Sequence, residues 1–112
     1  MAVRLERFEA SAHAAAELIR RGMFVYSPIT MTHPIDLVLA EEGGSMGSDY
    51  WCDFDEAFMA VCGEMIVLTI EGWSESRGIA RETAYFEKEG KPVRFMRPTS
   101  DGGYELCNHL RA

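Results

Sequence analysis

The chain has 112 residues, 47% of them hydrophobic and 26% charged, so it is large enough for a folded core and too apolar to be disordered. Its formal net charge of −7 argues against nucleic-acid binding, because no basic run is present to neutralise phosphates. No apolar stretch approaches the roughly 18 residues of a membrane span, and we expect one domain over residues 1–112.

The cysteines and the N-terminal segment indicate a cytoplasmic protein. Cys52, Cys62 and Cys107 are odd in number and lack CxxC spacing, so they support neither a disulfide framework nor a zinc site. The N-terminal segment is charged and amphipathic, with no signal-peptide core. We therefore expect buried thiols in a reducing compartment, and no bound metal.

The chain opens with a predicted helix over residues 2–21, because apolar residues recur there at helical spacing and Gly22 provides a stop. The predicted apolar stripe of this helix comprises Leu5, Phe8, Ala12, Ala15, Ala16 and Ile19. Residues 23–27, Met-Phe-Val-Tyr-Ser, are predicted to form a short buried strand that ends at Pro28.

The middle of the chain is predicted to be helical on both sides of a glycine-rich loop. Residues 29–33 are expected to form a loop, and Pro34 suits the first turn of a short helix that ends near Glu42. Glycine and serine over residues 43–48 predict a flexible loop, and a helix over residues 49–62 follows it.

The most informative pattern begins at residue 64. The β-branched run over residues 65–70 predicts a buried strand, Gly72 predicts a turn, and Ser76 is placed to cap a helix over residues 75–89. A strand that passes through a glycine turn into a helix leaves unpaired N–H groups at the helix N-terminus. Such a terminus can hold a sugar or a phosphate.

A last strand is predicted over residues 92–96, and the tail beyond Pro98 has only a Gly102-Gly103 turn. Strands that alternate with helices predict right-handed crossovers, so we expect a parallel sheet of three strands with helices on both faces. A chain of this design usually begins with a strand, and here the opening helix has none before it.

Glu82 is the first candidate site residue. It lies about one turn into the predicted helix, on the flank of a face marked by apolar side chains, where the positive helix end favours a carboxylate. Most helix glutamates are solvated surface residues. The sequence therefore leaves two alternatives open: a surface carboxylate, or a nucleophile above the C-terminal ends of the strands.

Asp55 is the second candidate. It follows Trp51 by four residues and precedes Phe58 by three, so it is predicted to lie at the edge of an apolar helix face. A carboxylate there is costly unless it is paired or lines a cleft. Asp55 is then either the partner of a backbone group or an arginine, or a proton donor that works with Glu82, since paired carboxylates serve glycosyl chemistry.

Two aromatic residues complete the candidates from the residues alone. His33 follows the first predicted strand and is either a substrate contact or a solvated loop histidine. Trp73, in the turn after the second strand, would either line a base-binding pocket or cover the edge of the sheet.

Several segments together resemble an uncharacterised bacterial family related to the nucleoside 2-deoxyribosyltransferases and the 2′-deoxynucleoside 5′-phosphate N-hydrolases. The resemblance covers roughly residues 3–97 and is most specific in a Gly-Trp-x-x-Ser-x-Gly-x-x-x-Glu block. The segments that carry it are Ser27-Pro28-Ile29, His33-Pro34-Ile35, Trp51 with Asp55, Met59 and Cys62, Gly72 to Gly78 with Glu82, and Gly90-Lys91-Pro92-Val93.

The resemblance implies a role for each matching position. Glu82 would be the nucleophile that attacks the anomeric carbon of deoxyribose, and Asp55 would protonate the leaving base. Ser76 and the region of Gly78 would contact the sugar or its 5′-phosphate. The segment after Ser27, with Ile29, would form the rim of the pocket. The two carboxyl groups are then expected within about 5–8 Å of each other.

The same resemblance implies a three-layer flavodoxin-like or Rossmann-like fold, a nucleoside or nucleotide as the small-molecule substrate, and no cofactor. Family members open with a strand and a Pro-Tyr-Ser-type loop, and this chain starts just after that point, so its sheet is expected to lack the usual first strand. An open sheet edge predicts a homo-oligomer. The alternatives are a non-catalytic module that binds a nucleotide or nucleotide-sugar, and a subunit that acts only by association.

Overall fold

A computed structural model describes residues 2–109, with side chains from Glu6 onward, and over this range it is an α/β fold with a small three-stranded mixed sheet. The chain divides into two compact units, residues 1–62 and residues 63–112. Within the described range no helix has the length and apolar character needed to cross a membrane.

The first unit is helical and consists of α1 (Ala2–Arg20), α2 (Pro28–Glu41) and α3 (Ser48–Met59). The predicted first helix is confirmed, but its buried face is rotated from the predicted stripe. Ala14 and Leu18 are the buried residues, whereas Ile19 is 58% exposed. Leu5, the first residue of the predicted stripe, lies outside the described side chains. The stripe was misjudged because alanines contribute to both helix faces and define neither clearly.

The predicted strand over residues 23–27 is wrong. These residues have no regular secondary structure and pair with no strand in the described part of the chain. The predicted loop over residues 29–33 is wrong as well, because α2 begins at Pro28 and Pro34 lies inside it. Pro28 suits the first position of a helix as well as Pro34 does. Ser27, whose backbone is extended, precedes Pro28 as the N-cap residue.

The helix α3 begins where predicted but ends at Met59, three residues early. Its buried residues are Asp55 and Met59, whereas Phe58 of the predicted apolar face is exposed. Asp55 therefore lies at the centre of the buried face rather than at its edge. Which face a helix buries depends on its neighbours, and spacing alone did not reveal them.

The second unit is built on a parallel strand–helix–strand unit. It contains β1 (Met65–Leu68), α4 (Arg77–Lys88) and β2 (Val93–Pro98), and β1 pairs in parallel with β2 as predicted. Its core consists of one residue from each element: Val67, Phe86 and Met96. The apolar β-branched run of β1 and the single apolar stripe of α4 are the local causes of this packing.

A third strand, β3 (Tyr104–Cys107), corrects the prediction of an all-parallel sheet. It pairs antiparallel with β2, and the strand order is β1-β2-β3. The hairpin closes through a hydrogen bond from the Thr99 N–H to the Gly103 carbonyl at 2.9 Å, and Gly102 has a φ of 86°. No strand was predicted in the weakly patterned tail, because the four residues 104–107 give too short a pattern to indicate one.

Candidate functional site

The segment between β1 and α4 forms the compact turn that the sequence predicted. Gly72 has a φ of 87°, which is left-handed backbone that favours glycine, and a short 3₁₀ turn over Trp73–Glu75 follows it. Ser76 is the N-cap of α4, and its Oγ accepts a hydrogen bond from the Ile79 N–H at 3.2 Å. The predicted cap is therefore confirmed, and it fixes where the helix begins.

Gly78 is exposed in the first turn of α4. A Cβ added there would meet only the Ser76 Oγ, at 3.8 Å, which is ordinary van der Waals contact. The space where a Gly78 side chain would stand is thus open apart from the Ser76 hydroxyl. The Arg77 and Gly78 N–H groups belong to the set that a helix leaves unpaired at its start. The first turn of α4 has the chemistry to bind an anion.

Glu82 is the sixth residue of α4, since the helix begins at Arg77. It therefore lies about 7–8 Å along the axis from the helix start, beyond the first turn in which the helix dipole is strong. Its side chain is only 18% exposed, and its Oε2 lies 4.0 Å from Nη2 of the adjacent Arg81. Glu82 is thus more enclosed than an ordinary surface glutamate, although the dipole contributes less than the sequence suggested.

Trp73 packs within the second unit. Its ring lies 5.9 Å from the ring of Phe95, centroid to centroid, at an interplanar angle of 61°. Phe95 belongs to β2, the central strand, so Trp73 packs on the middle of the sheet rather than on its edge.

Asp55 is the one polar or charged side chain buried in the described part of the chain, with 9% of its surface exposed. Its Oδ1 accepts a hydrogen bond from the Tyr26 hydroxyl at 2.8 Å. The Tyr26 ring stacks on Phe58, with centroids 4.7 Å apart and an interplanar angle of 11°. The partner of Asp55 here is a phenol, which neither sequence alternative named.

Ile29 and His33 both lie in α2 rather than in a loop. Ile29 is partly exposed in the first turn, and His33 is half-buried with its ring 5.0 Å from the ring of Phe8 in α1. The histidine thus packs against an aromatic side chain between two helices. It is not a solvated loop residue.

The candidates are distributed between the two units. Ser76, Gly78, Trp73 and Glu82 all belong to β1, α4 and the turn between them, whereas Asp55, Ile29 and His33 belong to the first unit. The predicted separation of the Asp55 and Glu82 carboxyl groups stays a prediction.

Sequence reasoning missed three polar groups in the first unit. Tyr26 was assigned only to a strand, although a tyrosine in an apolar segment usually needs a partner for its hydroxyl. Asp36 Oδ1 and Trp51 Nε1 are enclosed and lack a hydrogen-bond partner among the described residues. An aspartate inside the otherwise apolar Ile-Asp-Leu-Val run was the available signal for Asp36.

The three cysteines are thiols rather than disulfide partners, but each is half-buried instead of buried.

Comparison with known proteins places the chain by family rather than by activity. A search of curated proteins gave no match. The family model that matches is described as a domain of unknown function, DUF1937, and it covers residues 2–98, the greater part of the chain. The protein therefore belongs to the DUF1937 family.

Proposed function

We propose that this protein is an N-glycosidase or transferase that acts on 2′-deoxynucleosides or their 5′-phosphates, with Glu82 as the nucleophile and Asp55 as the acid. The observation that carries the proposal is Asp55, the one charged side chain in the described core. A buried carboxylate is expensive and tends to be retained where chemistry needs it. The resemblance of the Gly72-to-Glu82 block to the deoxyribosyltransferases supports the choice of reaction.

The proposed reaction has two steps. The Glu82 carboxylate attacks the anomeric carbon, the bond from that carbon to the base nitrogen breaks, and Asp55 donates its proton to the departing base. Water then attacks the anomeric carbon, Asp55 takes a proton from the water, and Glu82 is released as a carboxylate. If a second base replaces the water, the product is a new nucleoside rather than free deoxyribose.

The substrate contacts in this proposal come from the start of α4. The N–H groups around Gly78 would hold the 5′-phosphate or the 5′-hydroxyl, with Ser76 beside them, because glycine leaves space next to the backbone there. Trp73, Ile29 and His33 are proposed as pocket residues. The proposal requires the Asp55 and Glu82 carboxyl groups to face one cleft, about 5–8 Å apart.

The direct test is to incubate the purified protein with the four deoxynucleosides and the four deoxynucleoside 5′-monophosphates. We expect free base from at least one of them, measured by reversed-phase chromatography, and no base from the matching ribonucleosides. Ribose resists because its 2′-hydroxyl disfavours the oxocarbenium-like transition state. Adding a second base should give base exchange if the protein is a transferase. Release from none of the eight deoxy compounds would contradict the proposal.

The alternative is a non-catalytic module that binds a nucleotide or nucleotide-sugar. It is favoured by the position of Glu82 beyond the first turn of α4, because the helix start could then hold a phosphate without a carboxylate beside it. Calorimetric binding of a deoxynucleoside monophosphate without any base release would support this alternative.

We also propose that the fold is the three-layer flavodoxin-like or Rossmann-like type and that the protein is cytoplasmic. The parallel β1–α4–β2 unit supports the first statement, and β3 fits as the antiparallel edge strand that such sheets often carry. The second statement is supported by the three cysteines, which are thiols rather than disulfides.

Self-association is part of the proposal, and the apolar surface of the first unit supports it. All large hydrophobic side chains that are exposed in the described part of the chain lie between Ile19 and Val61. On α2, Met31, Ile35 and Val38 are exposed at i, i+4 and i+7, and so share one face of the helix. A helix that is apolar on its outer face normally packs against another protein surface. We propose that the partner is a second copy of this chain.

Replacing Val38 with glutamate is expected to dissociate this dimer, because the new carboxylate would be buried without a partner. We expect wild-type protein at micromolar concentration to have the mass of a dimer by light scattering, and Val38→Glu to raise the dissociation constant by about 100-fold or more. Ala40→Glu is the control, since it adds the same charge at an exposed position elsewhere on α2. A monomeric wild type, or equal dissociation by both variants, would contradict this surface as the interface.

A further inference from the structure

The Tyr26–Asp55 contact joins two parts of the first unit that are far apart in sequence. The Tyr26 hydroxyl donates to Asp55 Oδ1 at 2.8 Å, and the two residues are 29 positions apart. Asp55 is 9% exposed, so this hydrogen bond forms away from bulk water. A bond to a carboxyl oxygen in such surroundings is stronger and better directed than the same bond on the surface.

A second contact fixes the direction from which the hydroxyl approaches. The Tyr26 ring is nearly parallel to the Phe58 ring, with an interplanar angle of 11° and ring centroids 4.7 Å apart. Phe58 follows Asp55 by three residues on α3, so the stacking partner and the hydrogen-bond acceptor lie on neighbouring positions of one helix. The ring cannot swing away from Asp55 without losing the stack.

The backbone of Tyr26 is also held. The next residue, Ser27, is the N-cap position of α2, and its carbonyl accepts a hydrogen bond from the Met31 N–H at 3.0 Å. Pro28 follows with its φ fixed by the ring. Tyr26 therefore stands at a defined place just before a helix, with its side chain held at the ring and at the hydroxyl.

We infer that Tyr26 is the positioning residue for Asp55 in the proposed reaction. This inference rests on the proposed function, in which Asp55 delivers a proton to the leaving base. Holding Oδ1 fixes the rotation of the carboxyl group about its bond to the Cβ, and so fixes the direction of Oδ2. A proton donor must lie within hydrogen-bond reach of its acceptor in a set direction, and small misplacements lower the rate strongly.

Tyr26→Phe is the direct test, because it removes only the hydroxyl and keeps the ring that stacks on Phe58. On a deoxynucleoside the variant should show a kcat about 10-fold lower, with KM within about two-fold of wild type. On 4-nitrophenyl 2-deoxyriboside the rate of 4-nitrophenolate release in the first turnover should be unchanged, because the phenolate leaves without protonation and the water has not yet reacted. The ratio of the two rates in one sample does not depend on the fraction of folded protein.

The matched control is Tyr50→Phe, which removes the hydroxyl of an exposed tyrosine on α3 and leaves the Tyr26–Asp55 contact in place. We expect it to leave both rates unchanged. A second comparison uses the Asp55→Asn variant with and without Tyr26→Phe. Adding Tyr26→Phe to Asp55→Asn should cause no further loss, because Tyr26 acts through the carboxyl group that is already gone.

Each outcome decides the inference. A wild type that releases base, with a Tyr26→Phe variant that is unchanged or is slowed equally on both substrates, overturns the positioning role and leaves the proposed function intact. A further loss in the Asp55→Asn background also overturns it. A wild type that releases neither base from the deoxynucleoside nor 4-nitrophenolate from the second substrate contradicts the proposed function and this inference together. The role is established if Tyr26→Phe slows only the deoxynucleoside, whose base is the poor leaving group, and causes no further loss of rate in the Asp55→Asn background.

Discussion

Replacing Glu82 with alanine is expected to lower the rate of base release by about 10⁴-fold or more, because the first step of the proposed reaction is a covalent bond from this carboxylate. Glu82→Gln should lower this rate by as much, since the amide has the shape of the carboxylate but is not a nucleophile. The measurement is the appearance of free base under single-turnover conditions. Mass spectrometry of wild-type protein quenched with acid should show a deoxyribosyl ester that the variants lack.

The structure indicates that these variants will fold. The Glu82 side chain is partly enclosed, its ion pair with Arg81 is long at 4.0 Å, and alanine is a better helix former than glutamate. We expect the free energy of unfolding to change by no more than about 1 kcal/mol. Glu87→Ala is the control, because Glu87 is exposed on the same helix.

A Glu82→Ala variant that releases base at the wild-type rate would exclude Glu82 as the nucleophile. Loss of ligand binding together with loss of rate would instead indicate that Glu82 holds the substrate. Calorimetric titration with a deoxynucleoside separates these two results, since a nucleophile can be removed without weakening ground-state binding.

Asp55→Asn is expected to slow base release by about 10²- to 10⁴-fold, the range over which a positioned general acid acts. The loss should depend on the leaving group, because a base needs a proton in order to depart and 4-nitrophenolate does not. In the first turnover, which precedes the attack of water that Asp55 assists as a base, we therefore expect 4-nitrophenolate to be released within a few-fold of the wild-type rate. Equal slowing of both substrates would contradict an acid role for Asp55.

The two replacements of Asp55 should differ in their effect on folding. Asparagine keeps an oxygen that can accept the Tyr26 hydrogen bond, so the free energy of unfolding should change little. Asp55→Ala removes that acceptor and is expected to lower the free energy of unfolding by about 1–3 kcal/mol. Asp53→Asn, at an exposed position of the same helix, is the control for both. Urea denaturation followed by fluorescence measures the difference.

Local sequence determined most of the second unit. The β-branched run predicted β1, and Gly72 and Ser76 predicted the turn and the cap, because a left-handed φ and an N-terminal hydrogen bond are satisfied within a few residues. The parallel pairing of β1 with β2 followed from the length of the connection through α4. These features depend on neighbours in sequence, and so the sequence was sufficient.

Features that depend on distant neighbours were not determined in this way. Residues 23–27 have the composition of a strand, but a strand forms only where another strand supplies hydrogen bonds, and none in the described range does so. Residues 104–107 have a weak pattern, yet they form β3 because β2 lies within reach through a tight turn. Pairing in a sheet is a tertiary property.

In the candidate site, too, some features follow from the local sequence and others from tertiary contacts. The sequence identified Asp55 as a carboxylate in an apolar context, since that requires only residue type and helical spacing. It placed Asp55 at the edge of the helix face, and it did not connect Asp55 with Tyr26. Only the tertiary structure brings the phenol and the carboxyl group to 2.8 Å, because the direction of the segment before α2 decides which side chain reaches the buried face of α3.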